Sequence, residues 1–161
     1  MGNMIKIGMA ELSVCLPPDN ITTLGLGSCI GCVIYDPVSK ISGMVHVMLP
    51  DSTKIRNNEN VAKFADLGVA ALLDAVVKAG AVKPRLQAKL AGGAQMFAFN
   101  TNNEMLRVGE RNAEAVVKRL KELGIPIKAM DTGGTVGRTI EFYTETCDLV
   151  IKSVGKEIYK I

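Results

Sequence analysis

Apolar residues along most of the chain either alternate with polar ones or gather in short runs, and both patterns are typical of β-strands. Partial alternation predicts strands at residues 4–9 and 11–15, and Pro17 and Pro18 end the second because consecutive prolines cannot continue a strand ladder. The same pattern predicts further strands at residues 86–90, 104–108, 125–130, 138–145, 147–154 and 157–161.

Two apolar runs in the first third of the chain predict a β-hairpin. One begins near Cys29, the other contains His46, and the turn-like segment 36–40 separates them. A hairpin centred on that turn would place Cys29 opposite His46. Directly opposed side chains of an antiparallel pair have Cβ atoms roughly 4.5–5.5 Å apart, which is close enough for a thiol and an imidazole to pair.

Helical periodicity appears in two segments only. Residues 59–79 and 110–123 carry apolar stripes at helical spacing, and Gly80 and Gly124 follow as stop signals. The polar residues 51–60 predict a surface loop before the first helix. Two helices among eight or nine strands predict an α+β fold, a layered sandwich of mixed β-sheets with the two helices packed on the outside.

Composition narrows the class of protein. The 161 residues are 48% hydrophobic, which favours a folded chain with a real core, and we expect one domain over residues 1–161. No apolar run approaches the roughly 18–20 residues of a membrane span. The net charge of +3 is scattered and tryptophan is absent, so we expect no nucleic-acid surface. Four cysteines fit a cytoplasmic protein with reduced thiols.

Cys29 is the candidate nucleophile. A buried core cysteine is the commonest interpretation of such a residue. Here, however, Gly25 and Gly27 precede it, and a glycine-rich approach lets the backbone come near a ligand and offers N–H groups to an oxyanion. Cys29 also stands at the start of its run, where exposure is possible, and the only histidine of the chain is placed to meet it.

His46 lies between two valines, where a buried imidazole needs a partner for each ring nitrogen. Cys29 can supply one partner and the Thr23 hydroxyl the other. This combination of nucleophile, base and orienting group is that of cysteine hydrolases. If the thiol and imidazole pair, alkylation of Cys29 should remain fast below the pH expected for a free cysteine.

Cys29 and Cys32 also form a C-x-x-C motif, which leaves a redox or metal role as an alternative. The residues that follow Cys32 favour a strand, and residues three apart on a strand point to opposite faces. Cys32 is therefore predicted to be a core residue. A zinc site would need Cys15 or Cys147 to join His46, and no second C-x-x-C motif is present.

The motifs of this chain, in this order, resemble those of the CheD family, the chemoreceptor glutamine deamidases of bacterial and archaeal chemotaxis. The resemblance covers nearly the whole chain, and the joint occurrence of five motifs makes it specific. The motifs lie at residues 23–29 (TLGLGSC), 44–51 (MVHVMLPD), 91–97 (AGGAQMF), 109–112 (GERN) and 131–134 (DTGG).

The resemblance implies a fold similar to the catalytic domain of deamidating bacterial toxins and a triad of Cys29, His46 and Thr23. It implies that Cys29 attacks the side-chain amide of a receptor glutamine and that a thioester is then hydrolysed to glutamate, with no metal or organic cofactor. Some members are also credited with hydrolysing receptor glutamyl methyl esters. The residues expected to line the oxyanion and substrate position are Ser28, Gly27, Gly92 and Gly93.

The resemblance also implies partners. These are the methyl-accepting chemoreceptors as substrate and a CheC-type response-regulator phosphatase, with the protein a monomer or a heterodimer with CheC. The alternative is a non-catalytic module that binds receptors or CheC and changes signalling by contact alone.

Overall fold

The computed structural model describes residues 2–95 and 107–161. The strands are β1 (Met4–Ile7), β2 (Leu12–Cys15), β3 (Asn20–Leu26), β4 (Ile30–Tyr35), β5 (Ser42–Val47), β6 (Gln87–Gly92), β7 (Ile127–Thr132), β8 (Arg138–Tyr143), β9 (Asp148–Lys152) and β10 (Tyr159–Lys160). The two α-helices are α1 (Ala65–Lys78) and α2 (Val108–Glu122).

The ten strands of the described residues form two mixed sheets. The outer sheet has the order β1-β3-β8-β9-β10, with β1 and β3 parallel. The central sheet has the order β2-β5-β4-β6-β7, with β6 and β7 parallel. All other neighbouring strands are antiparallel. The predicted α+β sandwich of mixed sheets is confirmed.

The central sheet is covered on both faces, which explains why its strands read as continuous apolar runs. Every residue of β4 and β5 is buried. One face packs against α1 and α2, through residues such as Cys32 and Val45. The other face packs against the outer sheet, through residues such as Val33 and Met44. Both helices therefore lie on the same outside face, and the chemistry-bearing residues lie in the layer between the sheets.

One predicted boundary is wrong, and one predicted strand is described only at its end. The first helix begins at Ala65 instead of residue 59, because residues 61–63 form a 3-10 turn and Phe64 is extended, bridging to Leu49. The strand predicted at residues 104–108 falls on residues 104–106, which lie outside the described residues, and on Val108, which begins α2. None of the described helices has both the length and the apolar character needed to cross a membrane.

The apolar pattern does not distinguish β3 from β4, although the structure assigns them to different sheets. β3 belongs to the outer sheet and β4 to the central sheet, and residues 27–29 cross between them. Near its end β3 shifts register, and Gly25 takes a positive φ of 69° there. Cys29 therefore lies on a crossover between two sheets.

The β4–β5 hairpin is confirmed, but its register differs from the predicted one by two residues. His46 faces Gly31, and the last ladder pair is Tyr35 with Ser42. The predicted direct opposition of Cys29 and His46 is therefore wrong. The cause lies in the turn.

The turn closes one residue later than its sequence suggests. The Asp36 N–H donates to the Ile41 carbonyl and the Lys40 N–H donates to the Asp36 carbonyl, with Lys40 at a φ of 66°. Asp36 and Ile41 are therefore the pair that closes the turn. The centre of the turn lies one residue further along the chain than predicted, and this changes which residues of the two strands are paired.

The Asp36 carboxylate holds this turn. It is fully buried and accepts hydrogen bonds from the Val38, Ser39 and Val82 N–H groups and from the Arg85 guanidinium, the shortest at 2.7 Å. Burial alone would raise the pKa of Asp36, but Arg85 and the backbone donors outweigh burial and hold the pKa well below its usual range.

We expect Asp36→Asn to lower the free energy of unfolding by about 2–3 kcal/mol at pH 7, because hydrogen bonds to a charged group are lost. The folded-state pKa is depressed, so this stabilisation is full above the unfolded pKa of about 4 and declines as the pH falls through the folded value. Urea unfolding of both proteins at pH 7 and at acidic pH measures it.

The matched control is Asp74→Asn, since Asp74 is exposed on α1. It should change the free energy of unfolding by no more than about 0.5 kcal/mol. Equal unfolding midpoints for Asp36→Asn and Asp74→Asn at pH 7 would contradict the role given to Asp36.

Candidate active site

Three chain segments bring Thr23, Cys29 and His46 to the layer between the sheets. Thr23 lies on β3 of the outer sheet, His46 on β5 of the central sheet, and Cys29 directly before β4. Thr23 and His46 are fully buried, and Cys29 is 8% exposed. The three candidate residues therefore converge from two sheets.

The Thr23 hydroxyl determines the tautomer of His46. Its Oγ1 lies 2.9 Å from the Ile7 carbonyl oxygen and 2.7 Å from His46 Nδ1. A carbonyl can only accept, so the single hydroxyl proton of Thr23 goes to Ile7, and Nδ1 must carry the proton that joins it to Thr23 Oγ1. Nε2 is then unprotonated and can accept a proton. The predicted contact of Thr23 with His46 is present, and an orienting role for it stays a prediction.

His46 Nε2 is fully buried and has no hydrogen-bond partner among the residues that the structure describes. A buried polar atom without a partner is uncommon, and it destabilises the fold by about 1–3 kcal/mol. Burial also lowers the pKa of His46, because desolvation disfavours the imidazolium. Both observations favour the neutral imidazole, with an Nε2 lone pair that no described residue occupies.

Cys29 and His46 are not a ladder pair. Gly31 is the residue opposite His46, and Cys29 lies two residues before Gly31, ahead of the first paired residue of β4, Ile30. No hydrogen bond joins the two side chains, since Nε2 has no partner among the described residues.

Burial raises the pKa of the Cys29 thiol, because desolvation disfavours the thiolate. Burial lowers the pKa of His46 for the corresponding reason. Both directions favour a neutral thiol beside a neutral imidazole over the thiolate that the sequence leads us to expect, and alkylation rates distinguish the two.

The turn that carries Cys29 is held by its carbonyl groups. The Cys29 carbonyl accepts from the Gly93 N–H at 2.9 Å, and the Gly27 carbonyl accepts from the Ala94 N–H at 2.8 Å. The Gly27 N–H donates to Gly25. Within the described part of the chain, the N–H groups of Ser28 and Cys29 have no acceptor. They are thus the candidate oxyanion donors.

The backbone of Gly92 and Gly93 packs closely against the turn that carries Cys29. A Cβ on Gly92 would lie 2.2 Å from the Cys29 carbonyl oxygen, and both glycines have positive φ. Since the Gly93 N–H is already bonded to Cys29, Gly93 is not a free oxyanion donor. Gly93 also lines a cavity of about 380 Å³ between β6, β7 and α2. The predicted lining roles of both glycines stay predictions.

The other cysteines do not join Cys29. Cys32 packs with the helices on the opposite face of the central sheet, as predicted, and burial raises its pKa to about 12. No described cysteine is in a disulfide. Nor do any three His, Cys, Asp or Glu side chains in residues 2–95 and 107–161 form a group that could hold a metal ion.

One residue at the site has no role predicted from the sequence. The Asn112 side chain, on α2, reaches the Ser28 carbonyl. Its only sequence signal is its place in the motif at residues 109–112, which carries no spacing relation to Cys29 or His46.

The chain matches known proteins over its full length. A family model described as "CheD chemotactic sensory transduction" matches residues 48–153. A probable chemoreceptor glutamine deamidase CheD of Lachnoclostridium phytofermentans is 65% identical over 161 residues, covering 100% of both chains. The chemoreceptor glutamine deamidase CheD of Halalkalibacterium halodurans is 54% identical over 155 residues, covering 96% of each.

The family model begins after His46, so the catalytic candidates lie only within the matches to full-length relatives. Among solved structures, the hypothetical protein YfiH of Bacillus licheniformis matches with a TM-score of 0.42 and 14% identity, covering 72% of this chain and 48% of that chain. A likeness of this size carries no argument.

A neutral resting pair predicts a particular pH dependence of alkylation. The rate of Cys29 modification by iodoacetamide should still be rising above about pH 8.5, the ordinary pKa of a thiol. At pH 6 the wild type and His46→Ala should react equally within about two-fold, because no thiolate–imidazolium pair is lost. Mass spectrometry of the separated cysteine peptides measures each rate.

The buried Cys32 is the internal control and should remain unmodified under the same conditions. Fast modification of Cys29 at pH 5–6 that disappears in His46→Ala would show an ion pair at rest and contradict the neutral pair.

Proposed function

The chain belongs to the CheD family, and on that premise we infer that it is a protein-glutamine glutaminase that converts glutamine side chains of chemoreceptors to glutamate. The proposal includes a cytoplasmic location, where the signalling domains of receptors lie. It also includes Cys29 as nucleophile, His46 as general base and Thr23 as the residue that orients the imidazole.

The buried, unpartnered Nε2 of His46 is the observation that supports catalysis most directly. A histidine with a structural role would have both ring nitrogens satisfied, whereas this one has a fixed Nδ1 proton and a free lone pair. Catalytic hydrogen bonds are often long in unliganded enzymes and tighten when substrate binds. The absence of a Cys29–His46 bond at rest is therefore compatible with general-base catalysis.

In the proposed first step, His46 Nε2 takes the Cys29 thiol proton while Sγ bonds to the side-chain carbonyl carbon of glutamine. The carbonyl oxygen becomes an oxyanion, which the free N–H groups of Ser28 and Cys29 stabilise. His46 then gives its proton to the nitrogen, and the C–N bond breaks to release ammonia. A thioester between Cys29 and the substrate remains.

In the second step, His46 removes a proton from water, whose oxygen attacks the thioester carbonyl. The C–S bond breaks, the proton returns from His46 to Sγ, and the carboxylic acid formed ionises to glutamate. The released ammonia takes up the proton of that acid as ammonium, so the protons balance over the two steps. A glutamyl methyl ester would follow the same route with methanol as leaving group, so ester hydrolysis belongs to the same proposal.

Binding without catalysis remains the alternative. A CheC-type phosphatase is proposed as a partner on the family resemblance alone, and contact with a receptor or with CheC could change signalling by itself. Because burial raises the pKa of Cys29, less of the thiol is in the reactive thiolate form. A thiol that proves inert toward substrate would therefore favour this alternative.

Cys29→Ala should reduce deamidation of a receptor cytoplasmic fragment by at least about 10³-fold, because the nucleophile is removed. Ammonia release and mass-spectrometric mapping of the +1 Da glutamine-to-glutamate change measure it, and the mapping identifies the target glutamines. The matched control is Cys32→Ala, which removes a thiol three residues away on the opposite face. It should keep wild-type activity within about two-fold.

Wild-type protein that binds the fragment but converts no glutamine would refute the enzyme and favour the binding module. Loss of activity in Cys32→Ala equal to that in Cys29→Ala, with both proteins folded, would point to a redox pair instead.

Thr23→Val should lower kcat by about 10-fold or more, up to the roughly 10²–10⁴-fold that a general base contributes, because the His46 ring loses its orienting partner. Thr22→Val is the matched control, since Thr22 is also buried and also donates to a backbone carbonyl, that of Ile140 at 2.7 Å. Both variants lose a buried hydroxyl that donates to a backbone carbonyl, but only the Thr23 hydroxyl also bonds to His46. Equal kcat values for the two variants would exclude an orienting role for Thr23.

A further inference from the structure

No bond joins Cys29 and His46 directly, so the distance between them depends on how their two backbones are held. Cys29 lies on the crossover at residues 27–29, outside any ladder, while His46 lies within the ladder of β5. A crossover held only at its two ends would let the thiol shift relative to the imidazole. A displacement of about 1 Å can reduce a catalytic rate 10²-fold.

The Asn112 side chain connects these two backbones. Its Nδ2 donates to the Ser28 carbonyl at 2.9 Å and to the Met48 carbonyl at 2.9 Å. Ser28 is the residue before Cys29, and Met48 follows His46 by two residues. Because both partners are carbonyl oxygens, which can only accept, the amide orientation of Asn112 is unambiguous.

Close packing of α2 brings this amide into reach. A Cβ on Gly109 would lie 2.5 Å from the Ala94 carbonyl oxygen and 2.6 Å from that of Gly93. Only a glycine therefore lets the first turn of α2 lie so near the end of β6. Asn112 lies one helical turn after Gly109. The two residues of the motif at 109–112 therefore act together: Gly109 lets α2 pack closely against residues 93 and 94, and Asn112 makes the hydrogen bonds.

The amide of Asn112 uses its donors and not its acceptor. Asn112 is fully buried, and its Oδ1 has no hydrogen-bond donor in the described part of the chain, although a buried acceptor without a partner is unfavourable. An apolar side chain of similar volume would avoid that cost but would take the Nδ2 donor from the Ser28 and Met48 carbonyls. The two donors of the amide are what the position uses, and both are directed at the backbones that carry Cys29 and His46.

We propose that Asn112 is a positioning residue that holds the Cys29 turn at a fixed distance from the His46 strand. The proposal rests on the proposed deamidase function for its kinetic consequences. It acts through Ser28 and Met48 and involves no contact with substrate.

The test compares Asn112→Leu, which keeps the volume but removes both donors, with Asn112→Ser, which stays polar but is too short to reach both carbonyls. The control is Ser42→Ala, which removes another buried side-chain-to-carbonyl bond on β5, from Ser42 to Cys15, at the end far from Cys29. Circular dichroism selects conditions in which all variants are folded.

With a receptor cytoplasmic fragment as substrate, both Asn112 variants should lower kcat at least 10-fold with KM unchanged within two-fold, while Ser42→Ala keeps kcat within two-fold. Adding His46→Ala to Asn112→Ser should cost much less than it costs the wild type, because the base is already misplaced. The proposal would be overturned if His46→Ala lowered kcat by the same factor in Asn112→Ser as in the wild type. It would also be overturned if Asn112→Leu had the same kcat as Ser42→Ala.

A second measurement needs no catalytic activity and so separates this proposal from the deamidase function. His46 is the only histidine of the chain, so its ring ¹⁵N signals are unambiguous by NMR. S-methylthiolation of Cys29 should shift them in the wild type and in Ser42→Ala, and should shift them less than half as far in Asn112→Leu. An equal response in Asn112→Leu overturns the proposal even if the wild type is an active deamidase, whereas an inactive wild type with the expected NMR result refutes only the function.

Discussion

A hydrogen bond between two buried side chains on different sheets organises this protein. Thr23 on the outer sheet meets His46 on the central sheet at 2.7 Å, beside a cluster of buried apolar residues. Thr23 donates its hydroxyl hydrogen to the Ile7 carbonyl on a third strand, which leaves its oxygen as the acceptor for His46 Nδ1. The parallel pairing of β1 with β3, the packing of the sheets and the tautomer of the imidazole are therefore physically linked.

The same layer explains the resting state of the site. Burial disfavours both charged forms, so it raises the pKa of the thiol and lowers that of the imidazole. Within the residues that the structure describes, His46 Nε2 is an acceptor without a donor, and no ion pair joins it to Cys29. The large core on either side of the central sheet supplies the stability that a buried unpaired nitrogen removes.

In the turn that carries Cys29, the backbone carbonyls accept hydrogen bonds, whereas the N–H groups of Ser28 and Cys29 have no acceptor among the described residues. Gly93 and Ala94 donate to the crossover that carries Cys29, and Gly92 permits their approach because a Cβ there would overlap the Cys29 carbonyl. The residues that anchor this turn lie on and directly after a neighbouring strand, β6, far away in sequence.

The sequence by itself determined the residue types and most of the local structure: eight or nine short apolar segments expected as strands, two amphipathic helices, a hairpin, and Cys32 turned away from Cys29. These follow from periodicity and from turn residues, which act over a few positions. Its motifs also identified the family and the three candidate residues. Tertiary structure decided the rest. The hairpin register depends on Asp36 and its partner Arg85. The bond of Thr23 to His46 depends on the packing of two sheets. The reach of Asn112 depends on the contact of Gly109 with Gly93 and Ala94, just after β6. Each of these is a contact between residues distant in sequence, whose geometry no local pattern encodes.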